Sequence, residues 1–237
     1  MKKRNRGGVN KETPFARLDF ARADRTGFGE TVFGAGKTPE QLVKIFASFA
    51  QRSLPVLATR VSPEQAAAVA DAGIDAVYDS ASRLLVLQAR TPQKLQGRVA
   101  VLTGGTADIP VAEECAGTIE FFGGRVDRCF DVGIAGLHRL LGVIDEVRKA
   151  DVVVAVAGME GALPSVVSGL VSAPVVAVPT SVGYGAGAGG VAAALAMLNS
   201  CAEGVSVVNI DNGFGAAVTA CRMLRGMRRR RGIIIGK

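Results

Sequence analysis

Apolar runs alternate with helical patterns through the second half of the chain. Continuous Val- and Ala-rich segments occur at 99–103, 125–129, 151–157, 174–179 and 205–210. Segments with the helical spacing of apolar residues separate or follow them, at 109–121, 136–150, 160–172, 187–201 and 213–230. Continuous apolar strands with a helix after each are typical of a parallel sheet covered on both faces. The pattern therefore predicts a doubly wound α/β domain here.

The first half of the chain predicts a smaller α/β unit. Helices begin at Thr38 and Ser62, where a hydroxyl residue precedes proline at the first helical position, and the first of them extends to about residue 52. Strands are predicted at 55–59, 76–78 and 83–88, with a linker at 91–96. We therefore predict a disordered basic tail at 1–12, a small N-terminal α/β domain at 13–95, a larger α/β domain at 96–231 and a second tail at 232–237.

The net charge of +7 is concentrated at the two ends. Residues 1–25 carry eight basic residues against three acidic ones, and residues 222–237 carry seven basic residues and none acidic, so the rest of the chain is net acidic. Nucleic-acid binding requires basic residues on a folded face together with aromatics that stack on bases, and the two ends have almost no aromatics. We interpret the ends as solvated tails and predict no nucleic-acid partner.

Cysteine spacing argues against a zinc protein, and hydropathy argues against a membrane protein. The four cysteines show no metal-ligand spacing and there is one histidine, so a zinc site is not expected, and the pattern indicates a reducing cytoplasm. No apolar run is long enough to cross a bilayer, and the first residues lack the apolar region of a signal peptide. We therefore predict a cytoplasmic protein with no membrane partner.

The predicted strand ends locate a candidate site. In doubly wound sheets, ligands bind beyond the carboxyl ends of the strands. Those ends fall at 104–108, 131–138, 158–164, 180–190 and 211–215, and four of the five segments are rich in glycine. Glycine exposes backbone N–H groups, which suit a phosphate or another anion at a helix start. The sequence therefore predicts a ligand site at this edge of the sheet.

Asp108 is the most informative residue of that edge. It follows Gly104-Gly105-Thr106-Ala107 and precedes Ile-Pro, a helix start. A carboxylate beside an anion site repels the ligand unless it binds a proton, a hydroxyl or a metal, which points to chemistry. Asp before Ile-Pro is also a good N-cap, so a purely structural role stays open.

The other strand ends supply weaker candidates. His138 and Arg139 suit a proton donor beside an anion-pairing guanidinium, or else a surface pair on a helix. Glu160 is placed to hold a hydroxyl or a metal, and Ser181 and Tyr184 to grip a substrate, although a disordered crossover is an alternative for their loop. Cys221 shares one face of the last predicted helix with apolar residues, so spacing alone fits a core cysteine as well as a nucleophile.

The stretch from Gly104 to Leu224 resembles the phosphoribosylaminoimidazole carboxylase (PurE) family. The matching pieces include the glycine loop with Asp108, the approach to His138-Arg139 and the run 174–179. The resemblance implies a flavodoxin-like sheet, an octamer and transfer of CO2 on a nucleotide ring.

The match to the LarB family is closer and covers almost the whole chain. Its motifs lie at 18–22, 25–28, 32–34, 36–40, 57–60, 104–110 and 209–217. The resemblance implies an enzyme with a PurE-like C-terminal domain that makes pyridinium-3,5-biscarboxylic acid mononucleotide for a nickel-pincer cofactor. The substrates would be nicotinic acid adenine dinucleotide and CO2 or bicarbonate, with release of AMP, with Mg2+ and without an organic cofactor.

The resemblance also assigns roles to residues. Cys221 matches the nucleophile, with Asp108 and His138 as further catalytic residues. Substrate binding is predicted for Gly104, Gly105, Thr106, Ala107, Arg139, Gly158, Met159, Glu160, Gly161, Ser181, Gly183, Tyr184, Gly185, Asn212 and Gly213. Two other functions stay open: a purine-type aminoimidazole ribonucleotide carboxylase or mutase, and a nucleotide-binding module without turnover.

Overall fold

The computed structural model describes residues 15–234, and the side chains of the last helix as far as residue 227. The chain divides into two compact units, Met1–Thr91 and Pro92–Lys237. The predicted disordered tail at 1–12 lies outside the described residues. Of the predicted tail at 232–237, residues 232–234 continue the last helix and the rest lies outside the described part.

The N-terminal unit is a four-stranded mixed sheet with helices. Its strand order is β1-β2-β4-β3, with β1 parallel to β2 and the other two pairs antiparallel. The elements are α1 (Arg22–Thr26), β1 (Thr31–Phe33), α2 (Pro39–Ala50), β2 (Val56–Thr59), α3 (Pro63–Asp71), β3 (Val77–Asp79) and β4 (Leu84–Leu87). The sequence did not predict α1 and β1, because elements of five and three residues are too short to show a period.

Capping residues explain where the two longer helices of this unit begin. Thr38 accepts a hydrogen bond from the backbone N–H of Gln41, whose side chain bonds back to the N–H of Thr38. Ser62 and Gln65 repeat this capping box at α3. Both predicted helix starts are confirmed. The apolar face of α2 is buried in the core of the unit together with β2.

The C-terminal unit is a parallel sheet of five strands. Its strand order, β6-β5-β7-β8-β9, is 2-1-3-4-5 counted within the unit, which is the flavodoxin-like order. The elements are β5 (Arg98–Thr103), α4 (Ile109–Phe121), β6 (Arg125–Cys129), α5 (Leu137–Val147), β7 (Val152–Ala157), α6 (Leu163–Ser168), β8 (Val175–Pro179), α7 (Val191–Leu198), β9 (Val205–Val207) and α8 (Gly213–Ile234). The predicted fold class is confirmed.

Helices cover both faces of this sheet. Alternate residues of the central strands, such as Leu102 and Ala155, join α5, α6 and α7 in one core cluster. The intervening residues face the other way, because side chains alternate along a strand, and α4 and α8 pack against each other there. A Cβ on Gly97 would lie 2.7 Å from Leu224 Cδ2, so the start of the first strand contacts the last helix directly.

Three predicted elements are shorter in the structure. The predicted helix at 160–172 is reduced to α6, and the predicted strand at 205–210 to β9. The predicted helix at 187–201 begins only at Val191, because Ala188, Gly189 and Gly190 have φ of 47°, 64° and 97°, which are left-handed values that a right-handed helix does not contain. Within residues 15–234, no helix is long and apolar enough to cross a membrane.

Candidate functional site

A cleft of about 270 Å³ lies at the carboxyl ends of the strands of the C-terminal unit. The loops after β5, β6, β7 and β8 line it, and the loop after β9 does not. Its walls are formed by Gly104, Gly105, Ala107, Asp108, Gly133, Ile134, Ala135, Arg139, Ala157, Gly158, Met159, Glu160, Ala162, Leu163 and Val182. Eight of the predicted site residues are therefore brought together in one cleft.

Asp108 is the buried carboxylate of this cleft. Its residue is 4% exposed, and it precedes α4 without capping that helix through its side chain. Instead, Oδ2 accepts a hydrogen bond from the backbone N–H of Gly105 at 2.9 Å, and Oδ1 accepts one from Thr180 Oγ1 at 2.7 Å. The carboxylate thus joins the loop after β5 to the loop after β8.

Close backbone contacts hold the loops of the cleft together. A Cβ on Gly133 would lie 2.3 Å from the carbonyl oxygen of Gly104, and one on Gly158 would lie 2.2 Å from that of Val182. Both distances are far below van der Waals contact, so only glycine fits at these two positions. Met159 follows with φ of 53°, an unfavourable value for a side-chain residue, and its N–H donates to Val182 O at 2.8 Å.

Arg139 supplies a positive charge to the cleft, and His138 does not line it. The guanidinium of Arg139 pairs with Asp131, whose backbone N–H donates to Thr103 Oγ1 at 2.8 Å. The side chain of Arg139 is 39% exposed, so N–H groups remain for a carboxylate or a phosphate. His138 is exposed on the first turn of α5. Neighbouring residues of a helix point about 100° apart, which separates the predicted pair.

The loop after β8 is exposed beside the cleft. Ser181 donates its backbone N–H to Asp211 Oδ1 at 2.8 Å, and Tyr184 is 82% exposed. Six predicted residues of the loops after β5, β7 and β8 lie outside the cleft lining: Thr106, Gly161, Ser181, Gly183, Tyr184 and Gly185.

Asn212 and Gly213 shape the start of α8 instead of the cleft. Asn212 Oδ1 accepts from the backbone N–H of Gly215 at 2.7 Å, as an N-cap does. A Cβ on Gly213 would lie 2.2 Å from Val111 O, so α8 begins in direct contact with α4. The buried carboxylate of Glu114 on α4 accepts from the N–H of Phe214 at 3.2 Å. The geometry gives these two predicted residues a packing role.

Cys221 is fully buried on α8 and does not line the cleft. Burial raises the pKa of its thiol to about 12, against a smaller lowering effect of the positive charge of Arg225. The thiol of Cys115 on α4 is also buried, and its pKa is raised well above the ordinary value by burial and then by Cys221. A buried thiol with such a pKa is unreactive unless the surrounding packing opens.

Cys201 is a candidate that the sequence reasoning missed. It is the exposed member of the four cysteines, on the connection between α7 and β9. A Cβ on Gly190 would lie 2.7 Å from Thr180 O, so α7 begins beside the end of β8. Cys201 therefore follows the far end of α7. Nothing in the sequence signals its exposure, because Cys201 falls at the end of the helix predicted at 187–201.

The buried thiols predict an alkaline loss of stability. Cys221 loses its proton near its ordinary pKa of 9.0 when the chain unfolds, and only near 12 in the folded state. Between pH 9 and pH 12 the folded state thus keeps the proton on the Cys221 thiol, and the unfolded state loses it. The free energy of unfolding should therefore fall as pH rises, by up to about 1.4 kcal/mol per pH unit for this thiol. Urea unfolding at pH 8 to 11 measures the slope.

The matched variants for this measurement are Cys221→Ala and Cys201→Ala. The first should reduce the slope, and the second should leave it unchanged, because Cys201 is exposed. Equal slopes for the wild type and Cys221→Ala would contradict the prediction.

The cleft offers little for a resident metal ion. Among residues 15–234 there is no group of three His, Cys, Asp or Glu side chains that could hold one. Mg2+ is commonly bound through one or two carboxylates together with substrate phosphates and water. Glu160, exposed in the cleft lining, fits that mode as a single carboxylate. A Mg2+ ion that arrives with a diphosphate is compatible with these residues.

Comparison with known proteins agrees with this architecture. Residues 10–90 match the LarB/PurE-like N-terminal domain, and residues 98–230 match the AIR carboxylase family. An uncharacterised protein of Methanocaldococcus jannaschii is 40% identical over 214 residues, which cover 86% of this chain and 82% of that protein. The N5-carboxyaminoimidazole ribonucleotide mutase of the same organism is 33% identical over 131 residues, covering 53% of this chain and 78% of that enzyme.

Among solved structures, PurE of Treponema denticola is similar with a TM-score of 0.45 and 17% identity, covering 58% of this chain and 93% of that one. The two family matches follow one another along the chain and coincide with its two sheets. The chain therefore belongs to the LarB family, with a LarB/PurE-like N-terminal domain followed by a PurE-like domain of the AIR carboxylase family.

Proposed function

We propose that this protein carboxylates the pyridinium ring of nicotinic acid adenine dinucleotide at C5 and cleaves its phosphoanhydride, giving pyridinium-3,5-biscarboxylic acid mononucleotide and AMP. The observation that carries the proposal is the buried Asp108 carboxylate, fixed by two hydrogen bonds in a glycine-walled cleft. Membership of the LarB family supports it. A carboxylase of this kind needs a fixed base beside backbone N–H groups for phosphates.

The chemistry requires a temporary reversal of ring polarity. A pyridinium ring is electron-poor and does not attack CO2. Addition of a thiolate to C4 forms a C–S bond and leaves a dienamine, whose C5 attacks the carbon of CO2. Asp108 then takes the proton from C5, and departure of the thiolate restores the aromatic ring. Attack of water on the diphosphate releases AMP.

Two thiols compete for the role of nucleophile. The family resemblance points to Cys221, but its burial and its pKa of about 12 count against a free thiolate. Neither Cys221 nor Cys201 lines the cleft of its own chain. A fully buried thiol is not available to the cleft of a neighbouring copy unless its packing opens, whereas the thiol of Cys201 is exposed. We therefore favour Cys201, supplied to the cleft of a second subunit.

Arg139 and Glu160 complete the proposed site. Arg139 would bind a substrate carboxylate or phosphate, because part of its guanidinium is exposed in the cleft lining. Glu160 would contact a Mg2+ ion that offsets the charge of the diphosphate when it is bound. His138 would contribute only if the substrate extends onto the exposed first turn of α5.

The function is tested by one incubation of the purified protein with nicotinic acid adenine dinucleotide, 13C-bicarbonate and Mg2+. Mass spectrometry should detect AMP and a mononucleotide with one additional labelled carboxyl group. Similarity to the N5-carboxyaminoimidazole ribonucleotide mutase of Methanocaldococcus jannaschii motivates a parallel incubation with N5-carboxyaminoimidazole ribonucleotide. Conversion of that substrate alone would replace the proposal with a purine-type mutase, and binding without turnover of either would indicate a nucleotide-binding module.

We also propose that the protein assembles into an octamer. Three apolar residues of α7, Val191, Leu195 and Leu198, are 45%, 60% and 69% exposed, and their i, i+4, i+7 spacing places them on one face. An exposed apolar stripe of this kind commonly marks a contact with another subunit. Cys201 follows the same helix, so this contact would bring it close to the partner.

Replacing Leu195 and Leu198 together with glutamate should dissociate the assembly, because the charges would be buried at the contact. Light scattering at micromolar concentration should give a mass far above 24.4 kDa for the wild type and a lower mass for the double variant. The matched control is Val77→Glu, at a residue that is 71% exposed in the N-terminal unit and should leave the mass unchanged. A monomeric wild type would contradict the prediction.

A further inference from the structure

Thr180 is a buried hydroxyl residue directly behind the cleft. It follows β8, is 0% exposed, and donates its backbone N–H to Ala157 O at 3.0 Å. Its side chain does not line the cleft. Its Oγ1 nevertheless lies 2.7 Å from Oδ1 of Asp108, which does. Thr180 can therefore affect the cleft through its hydrogen bond to Asp108.

The geometry leaves Asp108 two fixed partners, one for each oxygen. The N–H of Gly105 holds Oδ2 from within the same loop, and Thr180 holds Oδ1 from a loop 72 residues away. The first contact alone would let the carboxylate turn about its Oδ2 end. The second contact removes that freedom.

Packing around Thr180 fixes the direction of its hydroxyl. A Cβ on Gly158 would lie 2.6 Å from Thr180 Oγ1, so the hydroxyl occupies the space that the absent side chain leaves. Gly190 approaches from the other side, where a Cβ would lie 2.7 Å from Thr180 O. Two glycines thus hold the threonine in place, and a buried hydroxyl in such a site needs a partner.

We propose that Thr180 is a positioning residue, whose hydroxyl holds the Asp108 carboxylate in the orientation that takes the proton from the substrate ring. The inference rests on the proposed function, in which Asp108 is the base. A group that orients a catalytic base affects the rate of the chemical step more than the binding of substrate.

The test compares Thr180→Val with Thr180→Ser. Valine keeps the shape and removes the hydroxyl, so kcat should fall by about tenfold to a hundredfold while KM stays within about twofold. Serine restores a hydroxyl and should recover most of the turnover. Loss of turnover in both variants, or in neither, would overturn the inference.

The matched control is Thr118→Val. Thr118 is also 0% exposed and lies on α4, the helix that follows Asp108, and its Oγ1 has no hydrogen-bond partner among the described residues. Removing this hydroxyl should leave kcat and KM unchanged. A fall in kcat equal to that of Thr180→Val would assign the effect to general loosening of the domain and overturn the inference.

A crystal structure of Thr180→Val separates this inference from the proposed function, because it needs no substrate. In Thr180→Val the Asp108 carboxylate should turn about its Oδ2 end, so that Oδ1 leaves its wild-type position, and in Thr118→Val it should not. An unchanged carboxylate in Thr180→Val would overturn the inference even if the wild type carboxylates the dinucleotide. A rotated carboxylate would support it even if the wild type turned over another substrate.

Discussion

Asp108→Asn should lower the turnover of carboxylation by at least about a hundredfold while substrate binding stays close to that of the wild type. The amide keeps the shape of the side chain. Its Oδ1 can accept from Gly105, and its amide can donate to the Thr180 hydroxyl, so both contacts of the wild type have replacements. Charge and basicity are lost. Steady-state kinetics together with calorimetric binding of the dinucleotide measure the two effects separately.

Asp151→Asn is the matched control for this variant. Its Oδ2 accepts from the backbone N–H of Arg98 at 2.9 Å, the same distance as from Asp108 to Gly105, but just before β7, at the opposite edge of the sheet. It should leave turnover unchanged. If Asp108→Asn lowered the melting temperature and kept full activity, the role of Asp108 would be structural.

The thiol variants should distinguish Cys201 from Cys221, the nucleophile that the family resemblance implies. Cys201→Ser should abolish carboxylation, because a hydroxyl is a far weaker nucleophile at neutral pH and Cys201 is the exposed thiol. Cys221→Ser should keep turnover within a few-fold, at a lower melting temperature, because it introduces a hydroxyl into a fully buried site. Product formation by mass spectrometry and thermal unfolding are measured on the same samples.

Alkylation provides the second measurement for the thiols. Iodoacetamide on the folded protein at pH 8 should modify Cys201 and spare Cys115 and Cys221, whose pKa values are raised by burial. Bound substrate should protect Cys201 if it attacks the ring. Full activity of Cys201→Ser together with an inactive Cys221→Ser would return the role to Cys221, as the family resemblance implies.

The fold was largely predictable from the sequence, because parallel strands that are buried on both faces appear as continuous apolar runs. The run at 151–157 and the run at 174–179 became β7 and β8, which are fully buried. Capping residues fixed the starts of α2 and α3. By contrast, the helix predicted at 187–201 was too long, since helical spacing does not reveal the positive φ values before Val191.

The candidate site was predictable only as an edge of the sheet. The strand ends located the loops, and Asp108 and Arg139 lie in the cleft as that reasoning implied. Which side chain of a loop points inward depends on contacts between distant segments, such as that of Thr180 with Asp108. Sequence spacing contains no information on such contacts. The burial of Cys221 is of the same kind, since it depends on the packing of α8 against α4.

The contact between β5 and α8 determines how late in synthesis the C-terminal unit can complete its fold. A Cβ on Gly97, just before β5, would lie 2.7 Å from Leu224 Cδ2 of α8, so the two residues are in direct contact. The two positions are far apart in sequence, and the ribosome must deliver nearly the whole unit before they can meet. Until α8 has been synthesised, one apolar face of β5 and α4 therefore stays exposed. The N-terminal unit has its own core, which can form much earlier in synthesis. Chaperone dependence during translation is thus expected to be concentrated in the second unit.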